Sequence, residues 1–219
     1  LIFSTSSSST KNIDVEAVLD ASVIVEHNVV LNYGGTTTSA ASLRVQSGGQ
    51  LNTDSGATTR GTMTVLGTAN IGGTHVGAVE NDGSIVLDGI INTASAADQV
   101  TNNASFTQRG TSAVNMAVGN TSGASYYLDG GNLTGDVTNA GDFTQAAGTV
   151  TGTVVTHERY VMDGGTITGN VENTGDFVQW TGSTVQGNVR TATPSGDLYT
   201  LRGGRVTGNV ENEGGMEAY

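Results

Sequence analysis

The chain contains no cysteine, a single proline (Pro194) and a single lysine (Lys11). Without cysteine no disulfide can staple the fold, although the absence by itself fixes no compartment. Lys and Arg together number 8 against 20 Asp and Glu, for a formal charge of −12. Phosphate binding needs clustered Lys and Arg, so nucleic acid is set aside as a partner. The negative balance fits a solvated, mutually repelling surface. No apolar run approaches the roughly 20 residues of a membrane-spanning helix. Aromatic residues make up only 5% of the chain, so any core is thin and needs those it has. Long apolar spacing of three and four is missing, which excludes an amphipathic helical fold.

What the chain has is glycine, 33 of 219 residues, together with much Thr, Ser, Asn and Val. These residues favour strands and turns over helix interiors. Runs such as "GTVTGTVV" and "RVTGNV" alternate and are broken by Gly, Asn and Asp, which reads as short strands joined by tight turns. The runs recur. Val23, Leu43, Met63, Ile85, Phe106, Tyr126, Phe143, Tyr160, Phe177 and Tyr199 lead successive copies, 17 to 22 residues apart. A period of this size means a supersecondary unit that stacks on its own copies. Leucine-rich repeats have a similar period, but their leucine and asparagine signature is absent. The reading is an all-β, single-stranded parallel β-solenoid, a right-handed β-helix of about ten coils. It divides into an N-terminal extension over 1–12 (a cap or an intersubunit strand), irregular coils over 13–78 and regular coils with an open C-terminal end over 79–219.

Two columns run through the repeats. Val79, Val100, Val118, Val137, Val154, Val171, Val189 and Val210 close the units, and two residues later stand Asn81, Asn102, Asn120, Asn139, Thr156, Asn173, Thr191 and Asn212. Coils stack about 4.8 Å apart, so the Asn side chains can form an internal hydrogen-bonded ladder. The second column, Phe106, Tyr126, Phe143, Tyr160, Phe177 and Tyr199, continues upstream as Val, Leu, Met and Ile, and so reads as a stack in the core. Its Tyr hydroxyls are expected at the coil edge. Trp180 lies outside the column and is the candidate exposed contact.

The acids recur with the coil. Asp88, Asp129 and Asp163 precede glycine; Asp142, Asp176 and Asp197 follow it. Asp129 and Asp163 are two coils apart, as are Asp142 and Asp176, so direct stacking of like charges is avoided. A solvated face is the plain reading. Calcium held by Asp129, Asp163, Asp142 and Asp176 is the sharper one, but the serial "GGxGxD" signature of calcium-binding β-rolls is absent, and no cofactor is expected. "NTD" at 52–54 matches one motif of pectin-degrading β-helix hydrolases without their companion residues, and Asn52 shares its repeat position with Asn32 and Asn115. His27, His75 and His157 lack metal-ligand spacing; surface or turn placement is expected for His27, which could also meet a neighbour across coils. No catalytic constellation is found. Thr keeps no single outward column, which sets ice binding aside.

"GGTITGNVENTGDF" (164–177), "GGNLTGDVTNAGDF" (130–143), "GGRVTGNVENEGG" (203–215) and "LRVQSGGQLNTDSG" (43–56) resemble the passenger repeats of bacterial autotransporters and related large surface adhesins. The resemblance covers about residues 20–219. It implies a right-handed β-helix displayed at the cell surface as a stalk, adhesin or matrix element, with no shared catalytic residues. Lack of cysteine suits a bacterial protein secreted unfolded across an envelope. The chain starts at "LIFSTSSSST" without an initiating Met and ends inside a coil, and so reads as processed or as a fragment. Leu1, Ile2 and Phe3 at one end and Met216 and Tyr219 at the other are the candidate assembly contacts. The expected partners are copies of the chain, head to tail, and surface glycans or receptors, at an extracellular or cell-surface location. The rival is a glycan-binding or glycan-cleaving β-helix of the phage tailspike or polysaccharide-lyase type, which needs two outward carboxylates converging in a cleft.

Overall fold

A computed structural model describes residues 1–7, 9–37, 42–192 and 198–219. Among these there is no helix, and every ladder between regular strands is parallel. One sheet holds twelve strands in chain order, from Ile2–Phe3 through Val23–Val25 and Val79–Asn81 to Val210–Asn212. Each strand belongs to one turn, so the described residues form a β-solenoid of about twelve turns. The leading column suggests about ten because the first and last turns contribute no residue to it. A second sheet carries the remaining strands, which run as one or two segments per turn. At the N-terminus Ile2–Phe3 pairs with Val23–Val25, and Lys11–Val15 pairs with Val29–Tyr33, so both strands stack on the second coil.

The alternating apolar pattern explains the strands. In Val79–Asn81, Val137–Asn139 and Val171–Asn173 the first and third side chains point inward and are buried, while the middle one faces water. The upstream alignment needs correction. Val23, Leu43 and Met63 stack beneath Val79 in the first sheet, not beneath Ile85. The aromatic column continues upstream through Ile85, Ala69, Leu51, Leu31 and Ile13. Each coil holds more than one apolar frame with the same period of two, and spacing alone does not say which frame stacks on which.

The core is a set of columns of stacked side chains. Phe106, Tyr126, Phe143 and Tyr160 lie ring over ring, with centroids 4.5 to 4.7 Å apart and planes within 7°. Phe177 tilts 54° from Tyr160, and Tyr199 follows at 5.4 Å. The coil spacing of about 4.8 Å sets these separations. The tyrosine hydroxyls do not reach the coil edge. Each donates to a buried glutamine on the preceding coil: Tyr126 to Gln108 at 2.8 Å, Tyr160 to Gln145 at 2.9 Å and Tyr199 to Gln179 at 2.9 Å. Each glutamine amide then donates to backbone carbonyls, as Gln108 does to Asn132 O at 2.9 Å. Burial raises all three tyrosine pKa values, that of Tyr199 to about 12.

The asparagine column is a ladder. Asn81 Nδ2 donates to Asn102 Oδ1 at 2.7 Å, Asn102 to Asn120 at 2.7 Å, and Asn120 to Asn139 at 2.8 Å. Asn139 continues to Thr156 Oγ1 at 3.1 Å, and Asn173 reaches Thr191 Oγ1 at 3.5 Å. The same Nδ2 groups also donate to carbonyls of the next coil, Asn81 to Ser105 and Asn102 to Ser125. Asn212 is exposed and bonds Gly214 O. A second, half-buried ladder runs outside from Asp14 through Asn32 and Asn52 to Asn70, each step 2.7 or 2.8 Å. Asn115 belongs elsewhere and pairs with Asn92.

Tight corners need glycine where coils approach. Gly148 has φ 80°, and a Cβ there would sit 2.5 Å from Gly131 O.

The Tyr160–Gln145 pair yields a prediction. Gln145→Leu strands a buried hydroxyl and lowers stability by about 1–3 kcal/mol in chemical denaturation. Adding Tyr160→Phe recovers most of that loss. A double variant no better than the single would refute the pairing.

Candidate functional surface

The outward positions carry the charge. Three arginines each stand between two acids of neighbouring coils. Arg109 donates through Nε to Asp88 at 3.0 Å and through Nη2 at 2.5 Å, and Asp129 is its register partner on the other side. Those contacts hold the Arg109 guanidinium above its usual pKa, with the Asp88 hydrogen bonds as the larger cause. Arg159 is paired between Asp142 and Asp176. Arg190 is paired between Glu172 and Glu211, with Glu211 at 4.0 Å and Glu213 at 3.8 Å. Stacked like charges about 4.8 Å apart would repel, and the arginines prevent that. The spacing of the acids is legible in sequence. The arginines between them escape a search confined to carboxylates.

The four calcium candidates do not converge. Asp142 and Asp176 flank Arg159, so a cation of the chain already lies between them. Asp129 stands exposed in the middle of its strand beside Arg109, and Asp163 is exposed at the bend. Among the described residues no group of three or more His, Asp or Glu side chains could hold a metal ion. Asp197 lies outside the described residues. His27 is exposed and meets the carbonyl of Ser47 across coils at 3.1 Å. His157 is exposed with Nδ1 2.7 Å from Thr174 Oγ1. His75 is wholly buried.

One open cleft of about 450 Å³ is lined by Asp142, His157, Glu158, Arg159, Gly175 and Asp176. A second depression beside it shares Asp142 and Glu158. Three carboxylates therefore line one cleft, with a guanidinium among them.

Trp180 is 40% exposed at the outer end of Asp176–Trp180. Arg202 is its register partner, and the guanidinium carbon lies 5.0 Å from the Trp180 ring centroid and 4.9 Å from that of Tyr219. Trp180, Arg202 and Tyr219 thus form one outward stack with a cation held between two rings. Sequence spacing finds Trp180 and Tyr219 separately and misses Arg202. Leu1 and Ile2 are exposed on the first coil, Phe3 packs against the core, and Met216 and Tyr219 are exposed on the last. Thr does hold one outward column, contrary to the expectation: Thr149, Thr166 and Thr184 are in register, between Asn132 and Arg205. It spans three coils.

No family model, curated protein or solved structure matches the chain.

Trp180 is the single tryptophan, so its emission reports on the outward stack. Arg202→Ala is expected to red-shift that emission and raise its quenching by acrylamide, at a stability cost within about 1 kcal/mol. Unchanged emission would mean that the ion and the ring do not stack in solution.

Proposed function

We propose that this chain is a structural rod, a stalk or fibre element for display or adhesion at a cell surface. The observation that carries the reading is the parallel stack of twelve strands in the first sheet, tied inside from Asn81 to Asn139 by a side-chain ladder. Twelve coils at about 4.8 Å give a rod on the order of 60 Å long. The interior supports stiffness, because opening a coil at Asn102, Asn120 or Asn139 breaks ladder hydrogen bonds on both of its faces. The interleaved charges and the net charge of −12 keep neighbouring rods apart sideways. A coil edge carries unpaired N–H and C=O groups, so growth of such a rod proceeds along its axis, onto further coils. The extracellular setting rests on the likeness of the repeats to autotransporter passengers and on the lack of cysteine.

A second reading has one observation in its favour. Trp180, exposed and pinned by Arg202, and the neighbouring acidic cleft are the kinds of groups that contact sugars. On this reading the rod also carries a glycan contact.

Negative-stain microscopy over a concentration series, with and without calcium, separates the alternatives. The rod reading predicts straight particles of uniform width, and end-to-end stacking predicts filaments that lengthen with concentration. Compact particles would contradict the rod, and isolated short rods at every concentration would remove self-assembly. Loss of binding on a glycan array with Trp180→Ala would place the contact at the outward stack.

A further inference from the structure

His75 is the one histidine in the core. It sits on Thr74–Val76, completely buried, with Thr59 of the preceding coil and Ile91 of the next in register. Its Nδ1 lies 2.9 Å from Thr59 Oγ1, and its Nε2 has no hydrogen-bond partner. Downstream the same inward column is apolar, running through Ile91, Val114, Leu133, Val150, Ile167 and Val185. A neutral imidazole fits there at the cost of one unmade hydrogen bond. An imidazolium would be a buried charge with no acceptor in hydrogen-bond geometry at Nε2; the Ala78 carbonyl nearby favours it only in part and already accepts from Met63 N at 2.9 Å, and burying a poorly paired charge is among the costliest events in a fold.

The groups around it do not compensate. Its own strand carries no other titratable side chain. Thr58–Arg60 contributes Arg60, a like charge on an outward position. Ile90–Asn92 contributes none. The first-sheet strand of this turn, Val79–Asn81, contributes Glu80, which is exposed on the outer face, and Met63–Val65 contributes none. Asp98 acts on His75 from the loop that follows, but it is already engaged by Ala94 N at 2.7 Å and Ser95 N at 2.9 Å.

We propose that His75 is an acid-sensitive latch: when it takes up a proton, the stack opens locally at residues 58–60, 74–76 and 90–92 while the coils beyond stay closed. The position explains why opening stays local. Upstream of His75 the leading column thins to Ala69, and directly after it the coil is lengthened by the loop Thr93–Asp98. The inner asparagine ladder starts at Asn81 and the ring stack at Phe106, so the coils beyond hold ties that this seam lacks. Desolvation moves the imidazole pKa down to about 4, against the opposing pulls of the Ala78 backbone and Asp98. In the open chain it returns to about 6.5. The open state therefore binds more protons between these limits. The stabilising effect of the closed seam is complete above pH 6.5 and is lost as pH falls toward 4.

Amide hydrogen exchange on the intact chain, corrected for intrinsic rates, tests this between pH 7.5 and 4.5. Protection at 58–60, 74–76 and 90–92 should fall about tenfold per pH unit below 6.5, while residues 118–120 and 137–139 hold theirs. His75→Gln, which cannot protonate, and His75→Val should both abolish that slope. Flat protection in the unaltered chain, an equal fall in the two variants, or simultaneous loosening of all coils would overturn the proposal. If neither variant folds, the imidazole resonances of His75 decide the matter: a folded-state midpoint near 6.5 also overturns it.

Discussion

Everything in this molecule follows from one distance, the spacing of about 4.8 Å between coils. At that separation each side chain lives beside the residue at its own position one turn away. Apolar columns such as Val118, Val137 and Val154 satisfy this readily. Asparagine does so because it is donor and acceptor at once, so a column of copies becomes a chain of hydrogen bonds. Aromatic rings do so face to face. A column of tyrosines alone would bury hydroxyls without acceptors. The chain alternates Phe with Tyr and places Gln beside each Phe, so every hydroxyl on the stack meets an amide oxygen one coil back. Acids cannot stack on acids, and arginines stand between them.

Much of the fold was legible in the sequence because the constraint acts on residue identity. The recurrence of Val and Asn two residues apart, and of Phe and Tyr about twenty residues apart, names both columns and the solenoid. What stayed hidden depends on register. Phe-x-Gln at 106–108, 143–145 and 177–179 is in plain view, yet its meaning needs the tyrosine of the following coil. Val23, Leu43 and Met63 match the aromatic column as well as the valine column in spacing, and only pairing assigns them to the second. In sequence His75 shows only that it lacks metal-ligand spacing, and its burial emerges when Thr59 and Ile91 are seen to flank it in register. The threonine column at 149, 166 and 184 was missed for the same reason.

The two parts of the rod differ in how they are tied. Coils from Asn81 to Thr156 are tied inside by the asparagine ladder, and from Phe106 the ring stack adds to it. Earlier coils carry their asparagines on the outside, half in water, around a core of aliphatic side chains and Tyr33. A rod so built has a stiffer stretch and a more yielding one, and His75 sits between them. The proposed surface role uses the first property, and the proposed acid response uses the second. The candidate site is a set of outward groups held in line by that interior: the Trp180–Arg202–Tyr219 stack and the cleft around Arg159.

The central claim is that buried side-chain amides tie the coils from Asn81 onward to their neighbours. Hydrogen exchange of the side-chain NH₂ groups of Asn102, Asn120, Asn139 and Gln145, followed by NMR, tests it most directly. The account predicts that they exchange as slowly as the backbone amides beside them, because they are released only when a coil opens. Exchange as fast as that of the exposed Asn132 or Asn188 would show that the ladders do not exist in solution, and the rod would then need another source of order.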